Sequence, residues 1–263
     1  MNKKNILSRI KNKINVKINI KIKMYGVVMY FKKMHYDKKF FEQTVDLSDW
    51  DNVFPNACIS SYKHINCDDD FKKLSQKLYL EGRTCLSVRE MWNIYNWVKK
   101  TEHINGDIAE VGVYKGGSAK IISEVNKNRK LYLFDTFEGI PENDFSINQI
   151  NNGELCDSSL DNVKSYLSKY NNIEYFKGVF PDSAANFKKQ AYSFVHLDTD
   201  IYEATLAGLE YFYPLVRPGG IILTHDYRTK HLPGVKKAFD EFFKNKPETI
   251  IELWDTQALI TKI

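Results

Sequence analysis

The chain has 263 residues, 43% hydrophobic and 14% aromatic, enough to bury a full core in one domain with extensions. Its net charge of +5 is concentrated at one end: residues 1–40 carry twelve Lys and Arg against a single acid, Asp37, so the rest of the chain is net acidic. That distribution excludes a nucleic-acid enzyme with a basic groove in its core, and no apolar run approaches the ~20 residues of a membrane span.

Residues 1–40 read as a basic arm rich in Lys, Asn and Ile. Ile14, Val16, Ile18, Ile20 and Ile22 alternate as in a strand, whereas Ile6, Leu7, Ile10 and Ile14 fit a helix face. Such an arm offers weak contact with a membrane surface or exchange between subunits of a homo-oligomer. Lys and Asn interrupt the apolar pairs before Met24, so no signal-peptide core is expected. Cys58, Cys67, Cys85 and Cys156 form no CxxC pair and no zinc spacing, which predicts ordinary thiols in a reducing compartment and a cytoplasmic location.

Residues 41–80 are polar and aromatic without a clear period. Residues 84–100 place Leu86, Met91, Ile94, Tyr95 and Val98 at helical spacing, with Trp92 and Trp97 as core or interface residues. Together 41–105 reads as a helical lid or cap, and Arg89 on that helix is a candidate contact for ligand or a neighbouring chain. From Asp107 strands and helices alternate. Strands are expected at 107–112, 130–135, 172–177, 193–198 and 219–225, with a last pair at 248–254 and 257–262 close enough for an antiparallel hairpin. This predicts an α/β fold over 106–263 with a doubly wound, seven-stranded, mostly parallel sheet.

The most informative stretch runs from Ala109 to Ala119: a strand, the turn Gly112-Val113-Tyr114-Lys115-Gly116-Gly117, and a helix start. Glycines let the backbone approach a ligand closely, and the helix start offers free N–H groups. The dinucleotide fingerprint needs G-x-G-x-x-G, which this spacing does not match. The next strand ends at Asp135, placed to bond ribose hydroxyls. Glu110 favours a cationic ligand over a pyrophosphate. These features favour S-adenosylmethionine over NAD, and an NAD-dependent oxidoreductase is the alternative of a different class.

Two further strands end in acids: His196-Leu197-Asp198-Thr199-Asp200 and Thr224-His225-Asp226. Neighbouring parallel strands end on one edge, so Asp198, Asp200, His225 and Asp226 are expected to converge. Crowded carboxylates need a compensating cation or proton, for which Mg²⁺ is the natural candidate, with His225 either a fourth ligand or a group that shifts the preference toward a transition metal. His196 is a second candidate base, set against a packed structural role.

EVGVYKGGS (110–118), DTFEGIP (135–141), GVFPD (178–182), HLDTDIYEAT (196–205), RPGG (217–220) and HDY (225–227) together resemble the macrocin O-methyltransferase family, over roughly residues 84–263. These are sugar and aminocoumarin methyltransferases of antibiotic pathways, with relatives in bacterial surface-polysaccharide clusters. The resemblance implies a class I methyltransferase fold with an antiparallel seventh strand. It implies that Glu110, Gly112, Gly116, Gly117 and Ser118, with Val113 and Tyr114 between them, hold the methionine part of S-adenosylmethionine. Asp135 would hold the ribose, with Thr136, Phe137, Gly178 and Phe180 near ribose and adenine. Asp198 and Asp226 fall on metal positions, with Asp198 also beside the cofactor, and Asp200 falls on the position of a general base. Where the family commonly has two adjacent aspartates, this chain has His225-Asp226. The expected reaction is O-methylation of a sugar or sugar nucleotide; a metal-independent transfer to an amine or phosphoramidate group is the same-fold alternative. Tyr202, Tyr227, Arg228 and His231 are candidates to line the acceptor pocket.

Overall fold

The computed structural model describes residues 67–263 apart from 127 and 189, so the basic arm and the lid segment as far as residue 66 lie outside the described residues. Helix α1 (Asp69–Leu80) falls in the stretch whose sequence showed no clear period. Asp68 caps it by accepting from the Phe71 N–H at 2.8 Å, and Asp69 and Asp70 complement the positive end of its dipole. Phe71, Leu74, Leu78 and Tyr79 form its buried face. That helical spacing is short and framed by charges, which is why it is hard to see in sequence. Helix α2 (Val88–Lys100) opens with a capping box in which Ser87 accepts from the Glu90 N–H while the Glu90 carboxylate accepts from the Ser87 N–H.

The sheet has seven strands in the order β3-β2-β1-β4-β5-β7-β6. They are β1 (Asp107–Val111), β2 (Leu131–Asp135), β3 (Ile173–Lys177), β4 (Tyr192–Leu197), β5 (Val216–Thr224), β6 (Ile251–Glu252) and β7 (Ala258–Thr261). β1 to β5 pair in parallel, and β7 enters antiparallel between β5 and β6. The seven-stranded, mostly parallel sheet with a reversed seventh strand is therefore present. β5 begins earlier than expected, because Val216 still pairs with Tyr192 across an irregular register, and β6 is only two residues long.

Helices cover both faces: α3 (Gly117–Val125), α4 (Phe145–Asn148), α5 (Leu160–Tyr166), α6 (Tyr202–Phe212) and α7 (Pro233–Phe243) join α1 and α2. With both faces covered, the central strands read as nearly continuous apolar runs. Alternate residues feed two cores. Leu131, Leu133, Phe194 and Leu223 pack with Phe71, Met91 and Ile121 on one side. Tyr132, Phe134, Val195 and Ile222 pack with Leu209, Phe212 and Phe239 on the other. α1 and α2 thus share the core of the sheet. The Arg129 guanidinium fixes α2 in place, donating to the carbonyls of Val98 and Thr101 and to the Ser193 hydroxyl at 2.9–3.0 Å. Among the described residues no helix is long and apolar enough to cross a membrane.

Candidate active site

The first wall of the site is built from backbone. Gly112 has φ of +85°, and a Cβ there would lie 1.8 Å from the carbonyl oxygen of Asp198. At Gly117 a Cβ would lie 2.5 Å from the carbonyl oxygen of Arg83. The glycines were expected to admit a ligand; what requires them is the close passage of β1 past the end of β4 and of α3 past the 83–84 strap. Asp135 locks the turn from β2: one carboxylate oxygen accepts from the Val113 and Tyr114 N–H groups at 2.6 and 2.9 Å, the other from Phe137 N–H at 2.5 Å. Tyr114 and Phe137 are held at φ of +50° and +55°.

The second wall is built from charged side chains at the ends of β4 and β5. His225 Nδ1 lies 3.1 Å from Asp198 Oδ1 and 2.7 Å from Asp226 Oδ2, while Nε2 lies 3.3 Å from Glu90 Oε2 on α2. Thr229 donates its hydroxyl to the other oxygen of Asp226. Asp200 and Asp226 sit at φ of +61° and +58°, a conformation costing an ordinary residue on the order of 1–3 kcal/mol that the packed strand ends hold in place.

The charges respond to this crowding. Burial disfavours the charged form of His225, but the carboxylates of Asp198, Asp226 and Glu90 outweigh it and raise its pKa well above the ordinary histidine value. Burial likewise opposes ionisation of Asp226 and Glu90. His225 beside them prevails, with Thr229 helping Asp226, and with Thr256 and the Ser87 N–H helping to hold Glu90 at about 2. At Asp200 the charge of His225 is outweighed. Burial, then the charges of Asp226 and Asp198, push it well above the usual carboxylate range.

Both walls face one cavity of about 570 Å³. Of the residues expected at the site, Gly112, Val113, Tyr114, Gly117, Ser118, Asp135, Thr136, Gly178 and Phe180 line it on the glycine-turn side. Asp198, Asp200, His225 and Asp226 line it on the acid side. Four expected residues do not. Glu110 and His196 lie wholly buried beneath the turn and bond to one another at 2.8 Å. His196 therefore has no path to a substrate proton. Glu110 is an internal partner whose carboxyl is raised by burial. Gly116 packs toward Val163, and Phe137 faces a smaller adjoining cavity.

Tyr202, Tyr227 and Arg228 also turn away, bonding to Glu241, Asp240 and Glu252, whereas His231 does line the cavity. Arg89 lies outside it against Asp255 and the exposed Trp254. Among the charged lining residues that the sequence did not single out are Arg83, Glu154 and Glu90, the last of which also closes the Ser87-x-x-Glu90 capping box. Six carboxylates line the cavity, from Glu90, Asp135, Glu154, Asp198, Asp200 and Asp226, against the cationic groups Arg83 and His225, with the imidazole of His231 beside them. That field suits a sulfonium with an amino-acid tail and repels a pyrophosphate.

A reversed seventh strand, a clamped glycine turn after β1 and an acid-lined crevice at the strand ends define a class I S-adenosylmethionine-dependent methyltransferase. Residues 30–256 match the macrocin-O-methyltransferase (TylF) family. The chain is 25% identical over 179 residues to the 8-demethyl-8-(2,3-dimethoxy-alpha-L-rhamnosyl)-tetracenomycin-C 4'-O-methyltransferase of Streptomyces olivaceus, covering 61% of this chain and 68% of that protein. It is 24% identical over 181 residues to the mycinamicin III 3''-O-methyltransferase of Micromonospora griseorubida, covering 61% and 70%. The O-methyltransferase NovP shares the fold, with a TM-score of 0.60 at 18% identity over 82% of this chain and 99% of that one. The chain belongs to the macrocin-O-methyltransferase family and is an S-adenosylmethionine-dependent O-methyltransferase. The match begins at residue 30, so it takes in the 41–80 stretch that the motif resemblance left outside.

Proposed function

We propose that the acceptor is a hydroxyl of a sugar or sugar nucleotide, in polysaccharide or natural-product biosynthesis, and that a divalent cation held by Asp198, His225 and Asp226 assists the transfer. The observation that supports this reading is the convergence of one ligand atom from each of these residues within 4.8 Å, beside Asp200 and in the same cavity as the glycine turn. Two carboxylate oxygens and an imidazole nitrogen fit a hard divalent ion, and the nitrogen favours Mn²⁺ or a later metal over Mg²⁺. When bound, such an ion polarises an acceptor hydroxyl and lowers its pKa.

The remaining work falls to side chains of this chain. Asp200, raised in pKa by its surroundings, is a stronger base than an ordinary carboxylate. It takes the acceptor proton as the oxygen–methyl bond forms and the sulfur–methyl bond breaks. The clamped turn and the acid walls orient the donor, so that reaction needs no rearrangement of the wall. The sugar reading also draws on the Streptomyces olivaceus relative, whose name specifies a rhamnosyl substrate.

One observation favours a second reading, metal-independent O-methyl transfer. His225 sits between three carboxylates and can itself supply the compensating positive charge. The test is a panel of sugar nucleotides and free glycosides incubated with S-adenosylmethionine, reading S-adenosylhomocysteine and the mass of the product. A methylated sugar is expected; methylation confined to non-sugar acceptors would overturn the acceptor class.

A further inference from the structure

Glu90 reaches the site from α2, an element outside the β4–β5 edge that carries Asp198, Asp200, His225 and Asp226. Its two oxygens are fully engaged. Oε2 accepts from the Ser87 N–H at 2.8 Å and faces His225 Nε2 at 3.3 Å. Oε1 accepts from the Thr256 hydroxyl at 2.6 Å and from the Thr256 N–H at 3.1 Å. The side chain is 5% exposed, so its rotamer is fixed by the helix start on one side and by the turn between β6 and β7 on the other. Nε2 of the imidazole thus faces the Glu90 carboxylate at 3.3 Å and the Thr256 hydroxyl at 3.4 Å, and Nδ1 is aimed at Asp198 and Asp226. This is the outer arrangement that a metal-ligating histidine requires: a fixed partner on one nitrogen defines the tautomer and ring plane at the other.

We infer that Glu90 is the positioning residue of the site, acting through His225 to present Nδ1 to a divalent cation shared with Asp198 and Asp226. The inference rests on the metal reading proposed above. It also explains how an imidazole serves where the resembling family commonly carries an aspartate. An aspartate there would face Glu90 as a like charge, whereas a histidine turns Glu90 into a partner.

The test is Mn²⁺ affinity of the full chain, measured by the electron paramagnetic resonance of free Mn²⁺, with S-adenosylmethionine affinity and Tm recorded in parallel. Glu90→Gln is expected to weaken Mn²⁺ binding about 10–100-fold, with S-adenosylmethionine affinity unchanged. Ser87→Ala, which breaks the capping box without touching His225, is expected to lower Tm and leave Mn²⁺ affinity as in the wild type. Equal Mn²⁺ affinity in wild type and Glu90→Gln overturns the inference alone, as does an equal loss in Ser87→Ala, which would mark the effect as helix capping. A wild-type chain that binds S-adenosylmethionine but no Mn²⁺ overturns the metal reading and the inference with it. If Glu90→Gln does not fold, Glu90→Asp carries the test by withdrawing the carboxylate from His225 Nε2 while keeping its charge. A several-fold weaker Mn²⁺ affinity supports the inference, and an unchanged one overturns it.

Discussion

The two walls of the cavity are built by opposite means. The β1–β2 wall is backbone: Gly112 and Gly117 permit close passage of chain segments, and the Asp135 carboxylate accepts from two N–H groups of the turn and from that of Phe137 in its own loop. The β4–β5 wall is side chain: His225 is ringed by Asp198, Asp226 and Glu90, and at Asp200 burial and the neighbouring carboxylates outweigh the charge of His225. A wall made of backbone tolerates little change, because an added atom has nowhere to go. A wall made of side chains can exchange one group for another, provided that its neighbours adjust.

Substitutions can break this contrast, beginning where the walls meet. Gly112→Ala places a Cβ on the Asp198 carbonyl at a positive φ, and should destabilise the chain by more than about 4 kcal/mol or prevent folding. A thermal unfolding curve like that of the wild type would show that the seam is looser than described. Asp200→Asn should leave the fold and the affinity for S-adenosylmethionine intact while lowering kcat about 10²–10⁴-fold. A matching loss of cofactor affinity would instead make Asp200 part of the binding wall.

Asp135→Asn removes the charge that holds the turn and should weaken S-adenosylmethionine binding about tenfold, measured by calorimetry, with Mn²⁺ affinity unaffected. The smallest effect is in the pH profile. Asp200 must be ionised to accept a proton, and its pKa is raised, so kcat should fall as pH drops through a value well above the ordinary 3.8. Below that limb the loss is about tenfold per pH unit. A kcat that stays flat down to about pH 4 would remove Asp200 as the base.

The two walls also differed in how far the sequence disclosed them. The glycine spacing, Asp135, the acids Asp198 and Asp200 and the His225-Asp226 pair were legible because each follows an apolar strand and marks its end. The reversed β7 was legible from the short gap at Asp255-Thr256. Asp200 and Asp226 announce chemistry by residue type, but their left-handed backbone does not show in sequence. Helix α1 escaped notice because its apolar face spans only three turns among Asp and Lys residues. Glu90 was hidden by a second role, since a glutamate three residues after a serine reads as a helix cap. His196 and Glu110 pointed the other way. Both look like site residues by type and position, yet parallel strands put alternate side chains on opposite faces, and these two meet each other beneath the turn.

The most direct test of the central claim is turnover with a sugar acceptor after exhaustive chelation, followed by addition of Mn²⁺ or Mg²⁺. The cluster of Asp198, His225 and Asp226 predicts that S-adenosylhomocysteine release stops on chelation and returns with the ion, Mn²⁺ more effectively than Mg²⁺. Full turnover in the chelated enzyme would contradict it and assign the compensating charge to His225 alone.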